Sequence, residues 1–358
     1  MTADNRWTAD SGPVTTAGAI AVANLQARID GQTSQATRGQ LTVGEQAELI
    51  ELIALRGHVY GRVADAEWAA TLADQLAGQA PGDARSFLAR ARTNGVFHQF
   101  TSALTDLDTA ATLGADHTDV DAERAAIYQA LGRYDEALRI RRLAVDSQAE
   151  FGTLAALAGL HGERGEMDDA EHWFNAATRS YHATSPFPLA MLELQHGQLW
   201  IEHDDIRRAR AWCAAAVRRL PAYVPAQGHL AEIDAALGET AAAIARLRPL
   251  ALASDDPDYA TQLARILADT GETEEAQTWR GKAAARYDQL LARHQDAFAD
   301  HAAEYWLTIG GDPERALWLA QQNLSLRQTP RARALVRRSN GHPPGLARDR
   351  RHKQPAPR

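Results

Sequence analysis

Apolar residues along this chain fall into clusters spaced for one face of a helix, and between the clusters small residues recur at fixed places. A glycine, usually followed five residues later by alanine, appears at Gly61, Gly95, Gly132, Gly165, Gly238, Gly271 and Gly311, at intervals near 34 residues. That period is the length of one helix–turn–helix unit of a solenoid. With the turn glycine numbered as position 15, eight units begin near Ala47, Pro81, Thr118, Phe151, Ala190, Val224, Pro257 and Ala297, and Asp204 holds the glycine place in the fifth. Position 20 is alanine in seven units, at Ala66, Ala137, Ala170, Ala209, Ala243, Ala276 and Ala316, and is Phe100 in the second. Position 8 reads Ala54, Leu88, Ala125, Ala158, Gly197, Ala231, Ala264 and Glu304. Small side chains at these places let paired helices cross with their backbones close together.

The local chemistry supports helices throughout. Glycine after a first helix supplies the left-handed residue that stops it, and acids then open the second helix, as in Gly132-Arg-Tyr-Asp-Glu and Gly271-Glu-Thr-Glu-Glu. Ala, Leu, Arg, Glu and Gln dominate, prolines fall mainly between units, and no alternation of strand period competes. The pattern resembles the tetratricopeptide repeat family, with small residues at positions 8, 20 and 27 and large ones at 4, 7, 11 and 24. The fourth unit carries it best, in Leu154, Leu157, Ala158, Gly165, Ala170, Phe174 and Ala177. The third has the turn Leu131-Gly132-Arg133-Tyr134-Asp135-Glu136-Ala137, and the fifth ends on Pro221. Arg141 and Arg280 at position 24, with Glu304 and Asn323 in the last unit, depart from it. The resemblance implies an all-α, right-handed solenoid of about eight repeats over residues 47–330, with a polar terminal cap.

Residues 1–46 precede the array, and a short amphipathic helix is expected over Ala17–Arg28, with Ile20, Val22 and Leu25 on one face. It caps the first repeat or docks on a partner. Residues 331–358 hold nine Arg or Lys against one Asp, so this segment carries +8 and the rest of the chain −16. We expect a disordered basic tail there. Its simplest reading is a solvated extension, with contact to nucleic acid or an anionic surface as a secondary one. Three unit intervals are long: 37 residues from Gly95 to Gly132, 39 from Gly165 to Asp204 and 40 from Gly271 to Gly311. The middle insert holds His182-Ala-Thr-Ser-Pro-Phe-Pro, which reads as extended, and the last reads as a second helix lengthened over Tyr287, Leu290 and Leu291.

Composition narrows the function classes. No apolar run of about 18 residues exists for a membrane span, and the opening Met-Thr-Ala-Asp-Asn-Arg-Trp lacks the basic start and apolar core of a signal peptide. A cytoplasmic location is the expectation. The single cysteine, Cys213, excludes an internal disulfide and reads as a small core residue. Phosphate loops, a Gly-x-Ser-x-Gly elbow, Cys-x-x-Cys and His-Glu-x-x-His are all absent. No catalytic residue, cofactor or metal is therefore assigned. Three pairs place a carboxylate and an imidazole one helical turn apart: His229 with Glu232, His301 with Glu304, and Glu193 with His196. Stacked units stand roughly 8–10 Å apart, too far for such pairs to share an ion unless the superhelix curls sharply.

In the family the concave surface is formed by the first helix of each unit and receives an extended peptide or a partner's helix. Carried over by position, the resemblance implies Gln198, Glu232, Arg265, His301 and Tyr305 as partner contacts, with Met191, Leu194 and Gly228 beside them. The lysines and asparagines with which chaperone-binding members clamp a terminal carboxylate are absent. The expected function is a non-enzymatic scaffold that engages a protein or peptide in an open groove. The alternative is a small-molecule or metal site, possibly catalytic, built from histidines and carboxylates of units five to eight. Oligomeric state is left open by the sequence.

Overall fold

The computed structural model describes residues 12–341, and every regular element among them is helical. A leading helix α1 (Gly18–Ala36) precedes the pairs α2 (Val43–Tyr60) and α3 (Val63–Gln79), α4 (Ala84–Val96) and α5 (Phe100–Thr112), then α6 (His117–Ala130) and α7 (Tyr134–Ser147). There follow α8 (Phe151–Glu163) and α9 (Met167–Ser180), α10 (Phe187–Glu202) and α11 (Ile206–Arg219), and α12 (Val224–Ala236) and α13 (Thr240–Ala253). The array ends with α14 (Pro257–Thr270), the long α15 (Thr273–Tyr305), a π turn over Trp306–Gly310, α16 (Pro313–Leu326) and α17 (Pro330–Ser339). Consecutive helices pack as antiparallel pairs, so the chain is an all-α solenoid.

The register of the repeat is set by its left-handed residues. The first helix of each unit ends at a residue of positive φ: Gly61, His98, Gly132, Gly165, Asp204, Gly238, Gly271 and Gly311. Alanine stands five residues on from every one of them, including Ala103 after His98. The second unit's turn is thereby corrected from Gly95 to His98, because α4 runs through Gly95 to Val96. Ala103, with no exposed surface, takes the place assigned to Phe100, and Ala91 that of Leu88. A left-handed histidine costs about 1–3 kcal/mol unless its surroundings hold it. Here the His98 Nδ1 bonds the Asp296 carbonyl at 2.8 Å and the ring stacks on Phe100.

Two terminal expectations also change. The leading helix is longer than 17–28 and buries Gly18, Ala21, Leu25 and Ile29, while Ile20 faces solvent. Its apolar face has the spacing of those four residues, and the short-window reading missed Ile29. The basic tail does not begin at 331: Pro330–Ser339 is a helix, capped by the Thr329 side chain and anchored by Ala332 and Leu335. Residues 342–358 and 1–11 lie outside the described residues. Of the inserts, 181–186 is non-helical, entering from an extended Tyr181, and α15 does continue past Tyr287 and Leu290, both fully buried, before a break at His294 (φ −139°, ψ 52°).

The array curls until its ends meet. Leu55, Val59 and Tyr60 of α2 pack with Leu194, Leu230 and Tyr223 of units five and six, so the first unit occupies part of the concave side of the later ones. At the opposite rim the chain after α16 crosses to the third unit, where the Gln328 amide donates to the Leu131 carbonyl at 3.0 Å and Arg327 Nε to Ala130 at 3.2 Å. Gly132 (φ 81°) lies under this crossing, and a Cβ there would stand 2.7 Å from the Gln328 carbonyl oxygen. Gly132→Ala is expected to cost about 2 kcal/mol from backbone strain alone and to loosen this seam. Chemical denaturation and the radius of gyration in solution scattering check both effects.

Candidate functional site

Closure builds the site, and three seams hold it shut. In the first, Asp255 reaches across the ring to the free N–H groups that open α3, at 2.6 Å from Val63 and 3.0 Å from Ala64. Arg286 fixes that carboxylate at 2.9 Å, and the Ser254 hydroxyl donates to the Gly61 carbonyl. Gly61 is thus required twice, by its φ of 59° and because a Cβ would meet Tyr259, Ser254 and Val224 at 3.0–3.1 Å. His58 shares a 2.8 Å hydrogen bond with the Tyr223 hydroxyl, and burial lowers the imidazole's pKa, keeping the ring neutral. In the second seam Phe97 stacks on His294 at 4.1 Å, and His294 bonds Glu67 at 2.9 Å. The third is the Arg327–Gln328 crossing.

Between the seams lies a cavity of about 430 Å³, walled by residues of units one, two, six, seven and eight and by Arg331 of α17. Phe97, Tyr259, Phe298, Val96 and Pro225 supply an apolar part; His58, His98, His301, Asp256, Asp300 and Arg327 a polar one. His301 is the hub of the polar part. Its Nδ1 stands 2.7 Å from Asp258, whose other oxygen accepts from the Tyr287 hydroxyl, and its backbone N–H donates to Asp300 at 2.9 Å. Arg327 holds the far oxygen of Asp300 at 3.2 Å.

The electrostatics follow from this order. The negative charges of Asp258 and Asp300 push His301 up to about 10, against burial, so it is an imidazolium at neutral pH. Burial would raise Asp258, but the His301 charge and the two hydrogen bonds outweigh it and hold the carboxyl below its usual range. Asp300 is likewise held down, against burial, by His301, Arg327 and Arg331. Asp256 lacks such a partner; burial and the neighbouring Asp258 charge push it upward, towards its neutral form. The His301 side chain is 43% open to water, so solvent screening tempers these interactions.

The five residues carried over from the family pattern are placed differently from one another. His301 lines the cavity. Gln198, Glu232 and Arg265 form a ladder over the first helices of units five to seven: Gln198 to His229 at 3.0 Å, His229 to Glu232 at 3.5 Å, and Glu232 to Arg265 at 3.2 Å. Tyr305 is a correction, for it is 1% exposed, packs beside the Tyr287 ring with centroids 5.2 Å apart and donates to the Arg280 carbonyl at 2.9 Å. The π turn inserts one residue between Tyr305 and Gly311, and one residue turns a helix by about 100°. Counting back from Gly311 therefore assigned Tyr305 to the wrong face. Leu194 and Gly228, also expected in the groove, are buried, under α2 and against Tyr259 respectively.

Of the three carboxylate–imidazole pairs, His229 with Glu232 forms at 3.5 Å, and the members of the other two take different partners. Glu304 binds Arg338, Glu193 binds Arg219 at 2.6 Å, and His196 stacks between Phe174 and Trp212, where burial lowers it to about 3. Among the described residues one set, His161, Glu166 and Asp169 at the turn of unit four, lies close enough to share an ion, but Arg164 already holds Glu166 at 2.9 Å. Cys213 is buried against Gly197, and burial raises its thiol to about 12. His58, His98, Asp256, Asp300, Arg327 and Arg331 were not found from sequence, since only the curl brings units one and two against six to eight. Asp256 and Asp258 lie at the start of α14, where the Asp256 side chain accepts from the Asp258 N–H at 3.0 Å.

No protein-family model matches the sequence, and no curated protein matches it. Solved structures do match. A human IFIT1 dimer with PPP-AAAA is similar at 16% identity and a TM-score of 0.54, over 80% of this chain and 73% of that one. A human IFIT1 dimer with m7Gppp-AAAA gives 15% and 0.55, over 85% and 78%. A tetratricopeptide repeat protein from Parabacteroides merdae gives 14% and 0.43, over 72% and 98%. At such identities the likeness concerns the fold. The protein is an all-α helical-repeat solenoid, and among the described residues no helix is long and apolar enough to cross a membrane.

His301→Gln would leave Asp258 and Asp300 facing each other without their shared cation. We expect a loss of about 2 kcal/mol, below the 3–5 kcal/mol of a fully buried pair because cavity water screens it. The pKa of His301 is raised on folding, so its contribution is fully present below 6.5 and vanishes as pH rises to about 10. The stability gap between wild type and variant, from urea unfolding at a series of pH values, should close over that window.

Proposed function

We propose that the protein is a binding module that encloses a small ligand in its central cavity, in place of an open groove that receives an extended peptide. The observation that carries this reading is the meeting of the ends, which leaves a half-open cavity of about 430 Å³ lined by residues of five units, polar groups among them. Small-molecule sites typically occupy about 300–1,000 Å³, with apolar walls and a few placed polar groups. An extended peptide needs a continuous channel, and α2 lies over that channel at units five and six. The Gln198–Glu232–Arg265 ladder supports the same reading, because Glu232 is engaged by His229 and Arg265, and of the five groove residues His301 is the one that lines the cavity. Of the two functions read from the sequence, this is the small-molecule one, shifted from units five to eight alone to the junction of units one and two with six to eight.

The test compares the full chain with an Ala297→Phe variant, whose added ring projects into the cavity from a half-buried position. Each is incubated with a low-molecular-weight cell extract and with an extended-peptide library, and what is retained is identified by mass spectrometry. We expect a small compound retained by wild type and lost, at least ten-fold, by a variant of unchanged circular dichroism. Retention of peptides by both proteins, with no small compound on either, would overturn the reading.

A further inference from the structure

We infer that the cavity takes an organic acid, a molecule with an apolar or aromatic body and one anionic head, carboxylate or phosphate, held at the Arg331 and His301 wall. This rests on the small-ligand reading above and names its substrate class. The argument is a balance of charges. Four cationic groups line the cavity, Arg62, His301, Arg327 and Arg331, against two carboxyls, Asp256 and Asp300. Even with Asp258 counted behind His301, positive charge is in excess.

The pairing is more decisive than the sum. Asp300 is engaged by Arg327 and His301, and Asp258 by His301 and Tyr287. Arg327 is spent on Asp300 and on the Ala130 carbonyl. Arg331, in the first turn of α17, forms no ion pair with another described residue, although its charge acts on His301, Asp258 and Asp300. Arg62 lies over the Tyr60 ring at 4.9 Å and has no carboxylate partner among the described residues. A cationic ligand would therefore meet guanidinium groups and find the charged carboxylates already engaged, while Asp256 tends to its neutral form. An anion meets the Arg331 guanidinium, whose planar donors suit carboxylate and phosphate oxygens, with Arg62 as a further positive charge on the wall. The remaining wall, with Phe97, Tyr259 and Phe298, offers rings to an apolar body.

Isothermal titration of the full chain with phenylacetate and phenyl phosphate, beside 2-phenylethanol and 2-phenylethylamine, tests the class of head. The same titrations are run on Arg331→Gln, an exposed position whose substitution leaves the packing intact, and on Ala297→Phe. We expect at least one acid to bind with a Kd of about 1 mM or tighter, roughly ten-fold more weakly to Arg331→Gln, and not at all to Ala297→Phe. The two acids distinguish a carboxylate head from a phosphate. Alcohol or amine binding as tightly as the acids, and lost in Ala297→Phe, overturns the anionic head and leaves the cavity reading standing. Acids that bind Ala297→Phe as they bind wild type are outside the cavity, and this inference falls. Failure of all four compounds sinks it as well, while the extract experiment decides the cavity reading separately.

Discussion

Close approach of helix backbones is the constraint on which the rest of this structure depends. Each unit stops its first helix with a left-handed residue and then places an alanine five positions on, where the two helices cross. Seven of these alanines are buried, six of them with no exposed surface. With so little side chain between them, neighbouring helices stack tightly, and the solenoid bends enough for its first unit to meet its sixth, seventh and eighth. The seams, the cavity between them and the charge network on its wall are consequences of that curvature.

The seams show how a repeat array holds a contact that no single repeat specifies. Asp255 supplies to the start of α3 the acceptor that its own flanking residue, Arg62, does not. Free N–H groups at a helix start attract a carboxylate, so the contact is local chemistry met by a residue nearly two hundred positions away. His98 follows the same logic. Its strained backbone is held by a bond to Asp296 in the eighth unit, and that bond also closes the second seam.

Much of the fold was legible in the sequence because the repeat is a short-range rule. Asp204 was placed correctly in a glycine position, and its φ of 58° agrees. The errors fall where one or a few residues shift the phase: three at Gly95, where α4 continues to Val96 and the left-handed residue is His98, and one at the π turn, which carries Tyr305 into the core. Each such shift rotates every side chain before it, so a position count fails although the element itself is right. Of the site, His301 was visible as a polar residue on a first helix. Its partners Asp258 and Asp300 lie near in sequence or one unit away, whereas His58, His98 and Arg327 gave no sign.

The sequence by itself determined an all-α solenoid, its eight units, the small residues at their crossings and the inserts that lengthen three of them. These follow from helix periodicity and turn chemistry, which act over a few residues. Only the tertiary structure decided whether the concave face is an open groove or a half-open cavity. That outcome depends on the curvature summed over eight stacked units, where a small rotation per unit separates ends that miss from ends that meet. The pairing of Asp255 with α3, of His98 with Asp296, and the place of Arg331 on the cavity wall with His301 exist only once the ends have met.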